Sequence, residues 1–253
     1  RRRTWPWPRP EERHRRLRRG MTAGAAPGAR RPSVGRPLPA SFYDRPTEIV
    51  ARELLGAVLE CETAGGLARG RIVETEAYLG EHDGACHAAA GLTRRTAPLY
   101  GPPGTAYVYL IYGMYWCVNA VTRAAGLPSA VLVRAVEPID GVELMRRRRP
   151  AARREVDLTN GPGKLCAAFG ITGEHDRLPL QRRPLVIREG APVPDRAVVV
   201  TPRIGITRAA DWMLRYLVSD SAHVSRTPAS FRRELYGPAT GDPVVPPPST
   251  DRG

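Results

Sequence analysis

The chain has 253 residues, enough for one large domain or two small ones, and 42% of them are apolar, enough to bury a sizeable core. No apolar run approaches the ~18 residues of a membrane-spanning helix, and Cys61, Cys86, Cys117 and Cys166 form no C-x-x-C pair, which argues against a zinc or redox motif. The net charge of +14 is concentrated near the start: residues 1–20 contribute +7 and residues 21–40 contribute +3, leaving +4 for residues 41–253, so the body is only mildly basic.

Residues 1–40, rich in Arg, Pro, Gly and Ala, are expected to be a disordered tail. No continuous apolar stretch there suggests a signal peptide, and a translation start at Met21 would leave residues 1–20 untranslated. Structure is expected to begin near Phe42. Pro46 followed by apolar residues at helical spacing and then Gly56 predicts a helix over 47–55. A strand over 57–62 precedes an alternating strand over 69–79. Ile72, Glu74, Glu76 and Tyr78 share one face of that second strand, and Val73, Thr75, Ala77 and Leu79 share the other. A solvent-facing edge is the commoner origin of such a polar face. The sharper reading aims Glu76 and Tyr78 together into a cleft.

Residues 80–104 form a loop too long to be a plain connection. Its His82, Asp83 and His87 leave open a metal-dependent hydrolase, although no H-E-x-x-H frame is present. Three strands follow, over 105–112, 115–122 and 129–136, with links short enough to favour antiparallel pairing. Residues 107–116 hold four of the nine tyrosines and one of the four tryptophans. Core packing accounts for some of these rings. Tyr112 and Tyr115 flank a Gly turn that should be exposed, which suits a base-stacking or wedging device. Asn119 and Arg134 interrupt apolar strands and are costly there unless partnered. Helices are expected over 141–149 and 162–169, and strands over 185–188 and 197–201. Residues 236–253 form a Pro-rich tail. The expected architecture is a single α+β domain over 41–235: a curved antiparallel β-sheet with flanking helices and a protruding β-hairpin.

Three stretches then carry a resemblance. RIVETEAYLG at 71–80, PPGTAYVYLIYGM at 102–114 and GPGKLC at 161–166 resemble the alkyladenine (3-methyladenine) DNA glycosylase family, in the family's order, within a likeness spanning about 38–228. The resemblance implies a monofunctional DNA glycosylase of base excision repair. Such an enzyme flips alkylated or otherwise damaged purines from double-stranded DNA and hydrolyses the N-glycosidic bond. It implies Glu76 as the carboxylate that activates water and Arg134 as its support. Tyr78, His87 and Tyr109 would sandwich the flipped base, Asn119 would disfavour the guanine amino group, and Tyr112 would fill the gap in the duplex. Arg94, Arg95, Tyr115, Gly163, Lys164 and Arg203 are expected along the DNA backbone. No metal and no organic cofactor is implied, and the expected form is a monomer in a bacterial cytoplasm, held at the nucleoid through DNA. A non-catalytic damaged-DNA-binding module built on the tyrosine hairpin stays open as an alternative.

Overall fold

The computed structural model describes residues 35–225. The expectations for residues 1–34 and 226–253 lie outside that span.

Two short helices, α1 (Ala40–Tyr43) and α2 (Thr47–Glu53), precede β1 (Val58–Thr63) and β2 (Gly66–Tyr78). Next come β3 (Ala106–Ile111), β4 (Tyr115–Val121) and β5 (Ala130–Asp140), then α3 (Val142–Arg148) and α4 (Pro162–Phe169). The last strands are β6 (Gln181–Arg182), β7 (Leu185–Arg188), β8 (Val198–Thr201) and β9 (Arg215–Val218). They form one antiparallel sheet in the order β3-β4-β5-β2-β1-β7-β6, with β9 pairing both β2 and β8. The sheet curls around a core that includes Val50, Leu54, Ile72, Val133, Leu165 and Phe169, with the helices packed on it. This is the single α+β domain expected. Among the described residues no helix is long and apolar enough to cross a membrane.

β2 is the spine of the molecule and not an edge. Its first half pairs with β1, its later residues Glu74–Glu76 pair with β9, and β5 covers its other side. A strand closed in this way has no solvent face, and Glu74 and Glu76 are both fully buried. The exposed-edge alternative is therefore overturned. The β2–β5 register breaks in two places close to these glutamates. Ile72 and Glu74 pair with the consecutive residues Val136 and Ala135, so Val73 is an extra residue on β2. Glu74 and Thr75 then pair with Ala135 and Val133, so Arg134 is an extra residue on β5. Bulges of this kind take a side chain out of the simple alternation and re-aim it.

Three residues, Tyr112 to Met114, link β3 to β4. Tyr112 and Gly113 both have positive φ (53° and 69°), and the Met114 amide donates to the Ile111 carbonyl at 3.1 Å. Tight hairpins favour this geometry because it matches strand twist, and Asn, Asp or Gly normally occupies the first position. A tyrosine there is strained backbone, held by the paired strands on either side. The long loop after β2 is tied down by two 3-10 turns, His87–Ala90 and Ala97–Tyr100. A small apolar cluster of Cys86, Ala88, Leu99, Tyr107, Val121 and Ala130 pins it to the sheet. The four cysteines are buried and form no disulfide.

Candidate active site

β2, β3, β4, β5, the long loop and the start of α4 converge on one cavity of about 620 Å³. Tyr78, His87, Tyr107, Tyr109 and Asn119 line its interior, and Tyr112, Tyr115, Arg149, Gly163 and Lys164 line it nearer the hairpin tip and α4. That brings together most of the residues singled out from the sequence.

Alternation along β3 puts Tyr107 and Tyr109 on one face, with ring centroids 5.1 Å apart. The His87 ring meets Tyr109 edge-on at 4.5 Å, and its Nδ1 lies 2.8 Å from the Tyr107 hydroxyl. Burial lowers the His87 pKa, with the charge of Arg95 acting in the same direction, and both favour the neutral ring. Burial lifts the Tyr107 hydroxyl to about 12. Asn119, buried on β4, donates its side-chain NH₂ to the Tyr107 carbonyl at 2.9 Å. Tyr107 thus anchors two pocket residues, a role hidden in the sequence because a strand tyrosine reads as packing.

Glu76 has no exposed surface. Its carboxylate meets three donors: the Tyr78 hydroxyl donates to Oε2 at 2.9 Å, Arg134 Nη1 lies 3.1 Å from Oε2, and the Ile204 amide donates to Oε1 at 2.8 Å. Glu76 itself does not line the cavity, but Tyr78, Arg134 and Ile204 all do. A carboxylate offers about four acceptor positions; with three taken, one is left on Oε1. Arg134 sits between two carboxylates, because its Nε also donates to Glu74 Oε1 at 2.7 Å. Glu74 accepts in addition from Arg215 Nε (2.7 Å), from the Ser225 amide (2.6 Å) and from the Ser225 hydroxyl (2.7 Å). Burial alone would raise the Glu74 carboxyl. Arg134, Arg215 and the Ser225 amide outweigh it and lower the pKa to about 2. Glu74 was visible in the sequence as part of the polar face, whereas Arg215 and Ser225 carried no signal.

The residues expected along the DNA backbone divide. Arg94, Arg95, Tyr115 and Lys164 are exposed, and Arg95 lies 5.7 Å over the Tyr109 ring. Gly163 packs on Tyr115, where an added Cβ would come within 2.9 Å of the tyrosine Cβ. Arg203 corrects the expectation. It is 4% exposed, its guanidinium forks onto Asp83 at 2.5 and 2.8 Å, and it stacks 4.7 Å from the Tyr78 ring centroid. A buried, neutralised guanidinium has neither the access nor the free charge for a phosphate. Arg149, at the end of the helix expected over 141–149 and not singled out from the sequence, lines the cavity instead, with its guanidinium on the carbonyls of Asp157 and Leu158. His82, Asp83 and His87 are not gathered: Asp83 faces Arg203, His87 faces the tyrosines, and His82 lies near Trp212. Among the described residues no group of three His, Cys, Asp or Glu side chains is arranged to hold a metal ion.

The arrangement can enclose a flat ring between aromatic faces and offer it a buried anion from one side. Comparison with known proteins gives the family. The family model described as methylpurine-DNA glycosylase matches residues 41–222. A Myxococcus xanthus protein named "Putative 3-methyladenine DNA glycosylase" is 54% identical over 200 residues, covering 78% of this chain and 97% of its own length. Proteins of the same name from Salinibacter ruber and Methanocella arvoryzae are 50% and 49% identical, over 77% and 70% of this chain and 98% and 88% of theirs.

Proposed function

The chain belongs to the methylpurine-DNA glycosylase family, whose members are hydrolases acting on N-glycosyl bonds, and from that premise we propose how its own residues carry out the reaction. It draws an alkylated or otherwise damaged purine, 3-methyladenine-like, out of duplex DNA, and hydrolyses the bond to deoxyribose. The product is an abasic site on an intact strand.

Tyr112, 78% exposed at the hairpin tip, enters the duplex in place of the departing base. Extrusion costs a few kcal/mol, and less for a poorly paired base, which gives part of the selectivity. The base stacks among Tyr78, His87 and Tyr109. A lesion that carries positive charge gains about 0.5–2 kcal/mol from each aromatic face. A neutral His87 suits such a guest, because an imidazolium would repel it. Asn119, tethered at Tyr107, stands where an extra amino group on the purine would crowd it.

Bond cleavage builds positive charge on the sugar, and a fixed anion stabilises it. Glu76 is that anion, and it takes the proton of the attacking water at its remaining Oε1 position. Arg134 and the Ile204 amide hold the carboxylate in place. The observation that carries the reading is this buried carboxylate, whose three donors all belong to residues that line the aromatic cavity. Lys164, the one lysine in the chain, sits at the start of α4 with its Nζ on Asn160 at 2.8 Å, a place suited to a backbone phosphate and not to imine chemistry at the sugar.

A base-release assay on a panel of duplexes, each with a single damaged purine, tests the proposal. Glu76→Gln should abolish release and keep binding to the lesion duplex, since the amide preserves shape but cannot take the proton. Excision by this variant at the unchanged rate would remove Glu76 from the mechanism.

A further inference from the structure

Outside the groups used so far lies a second buried ion pair. Asp83, in the loop after β2, and Arg203, just after β8, are both without side-chain exposure. The pair is forked, with Arg203 Nη1 on Asp83 Oδ2 and Nη2 on Oδ1, and Nη1 also donates to the Ala77 carbonyl at 2.9 Å. Asp83 in turn accepts from the amides of Leu79 and Ala85, each at 3.0 Å. The contacts to the Ala77 carbonyl and the Leu79 amide hold the backbone on either side of Tyr78, and the one to Ala85 ties down the loop beyond it. The Arg203 Cζ lies over the Tyr78 ring, 4.7 Å from its centroid, and Arg203 does not itself line the cavity, so it stands behind the ring. The next residue in the chain, Ile204, supplies the amide on Glu76.

We infer that Asp83 and Arg203 are positioning residues for base excision, a conclusion that rests on the function proposed above. The pair fixes two of the three donors that hold Glu76: the Tyr78 hydroxyl, through the ring it backs, and the Ile204 amide, through the adjoining peptide. Tyr78 and Ile204 also stand between Glu76 and the cavity, so the pair sets the opening through which water and sugar meet the carboxylate. Only arginine fits this role at position 203. Its flat fork spans both oxygens of Asp83 while its face stacks on the ring, and an ammonium group can do neither.

The test is Arg203→Lys, which keeps the charge and loses the fork and the stacking face. Single-turnover excision is measured with saturating enzyme, with active sites counted by titration, beside the dissociation constant for the same lesion duplex. A displacement of about 1 Å at a reacting group is enough to slow a reaction by about 10²-fold. Arg203→Lys is therefore expected to excise about tenfold to 10²-fold more slowly, with the dissociation constant changed by less than about threefold. A merely structural role would lower the titrated active fraction and leave the rate constant of the folded molecules alone. Asp83→Asn, which cannot accept from both Arg203 nitrogens, is the second variant and is expected to show the same split if Arg203→Lys does not fold. An unchanged rate constant in a folded variant would overturn the assignment. Absence of base release by the unaltered chain would overturn the proposed function itself, and the inference with it.

Discussion

Glu74→Gln tests the buried charge network most sharply. The carboxyl lies at about 2 in the folded chain against an ordinary 4.5, a difference of roughly 2.5 units. At about 1.36 kcal/mol per unit this amounts to about 3 kcal/mol of stability at neutral pH. A carboxyl depressed by folding stabilises above its unfolded pKa, so the contribution fades as pH falls from about 4.5 toward about 2. Glutamine removes the anion from between Arg134 and Arg215, which are 6% and 0% exposed. Removing one partner of a buried ion pair costs about 3–5 kcal/mol, or a fall in Tm of about 10 °C for a domain of this size. Urea unfolding of the unaltered chain and of Glu74→Gln, at neutral pH and in steps down to about pH 2, measures both quantities. The gap between them should be about 3 kcal/mol or more at pH 7 and close across the window below about 4.5. A gap under about 1 kcal/mol at pH 7, or one that stays constant to the acid end, would refute the claim that Glu74 is a paired anion.

Tyr112→Gly should stabilise the fold, because a non-glycine residue at φ 53° costs about 1–2 kcal/mol, and should weaken lesion-duplex binding by about tenfold or more. A higher Tm with unchanged affinity would deny Tyr112 the wedge. The product strand should stay uncut until alkali or an abasic endonuclease is added, and borohydride should trap no protein–DNA adduct. An adduct that disappears in Lys164→Ala would make the enzyme a glycosylase-lyase and bring Lys164 to the sugar.

Local patterns were readable where the physics is local. The alternation of 69–79 predicted β2, and the short Tyr-Gly link predicted a tight hairpin with its rings at the tip. The burial of β2 on both faces was not readable, because it depends on β1, β5 and β9 arriving from distant parts of the chain. Arg203 was misplaced for the same reason. Its partner Asp83 is 120 residues away, and an arginine near a DNA-binding motif reads as a phosphate contact until that partner is found. β9 is four residues long, too short for its alternation to stand out, so Arg215 stayed hidden with it. The bulge that re-aims Arg134 has no sequence mark, since it is a property of two strands in register.

Glu74, Glu76 and Asp83 are matched around this site by Arg134, Arg203 and Arg215, three negative charges against three positive ones. This balance constrains inheritance as much as chemistry. Any single substitution that alters one charge strands its partner in the interior, and the penalty is relieved only by a second change at a position far away in sequence. Mutations here should thus be strongly epistatic: each harmful alone, and some tolerable in the right pair. Lineages would cross between alternative charge arrangements by paired steps, while lining residues with no charged partner in this network, such as Leu132, could drift one residue at a time and retune which lesion is held.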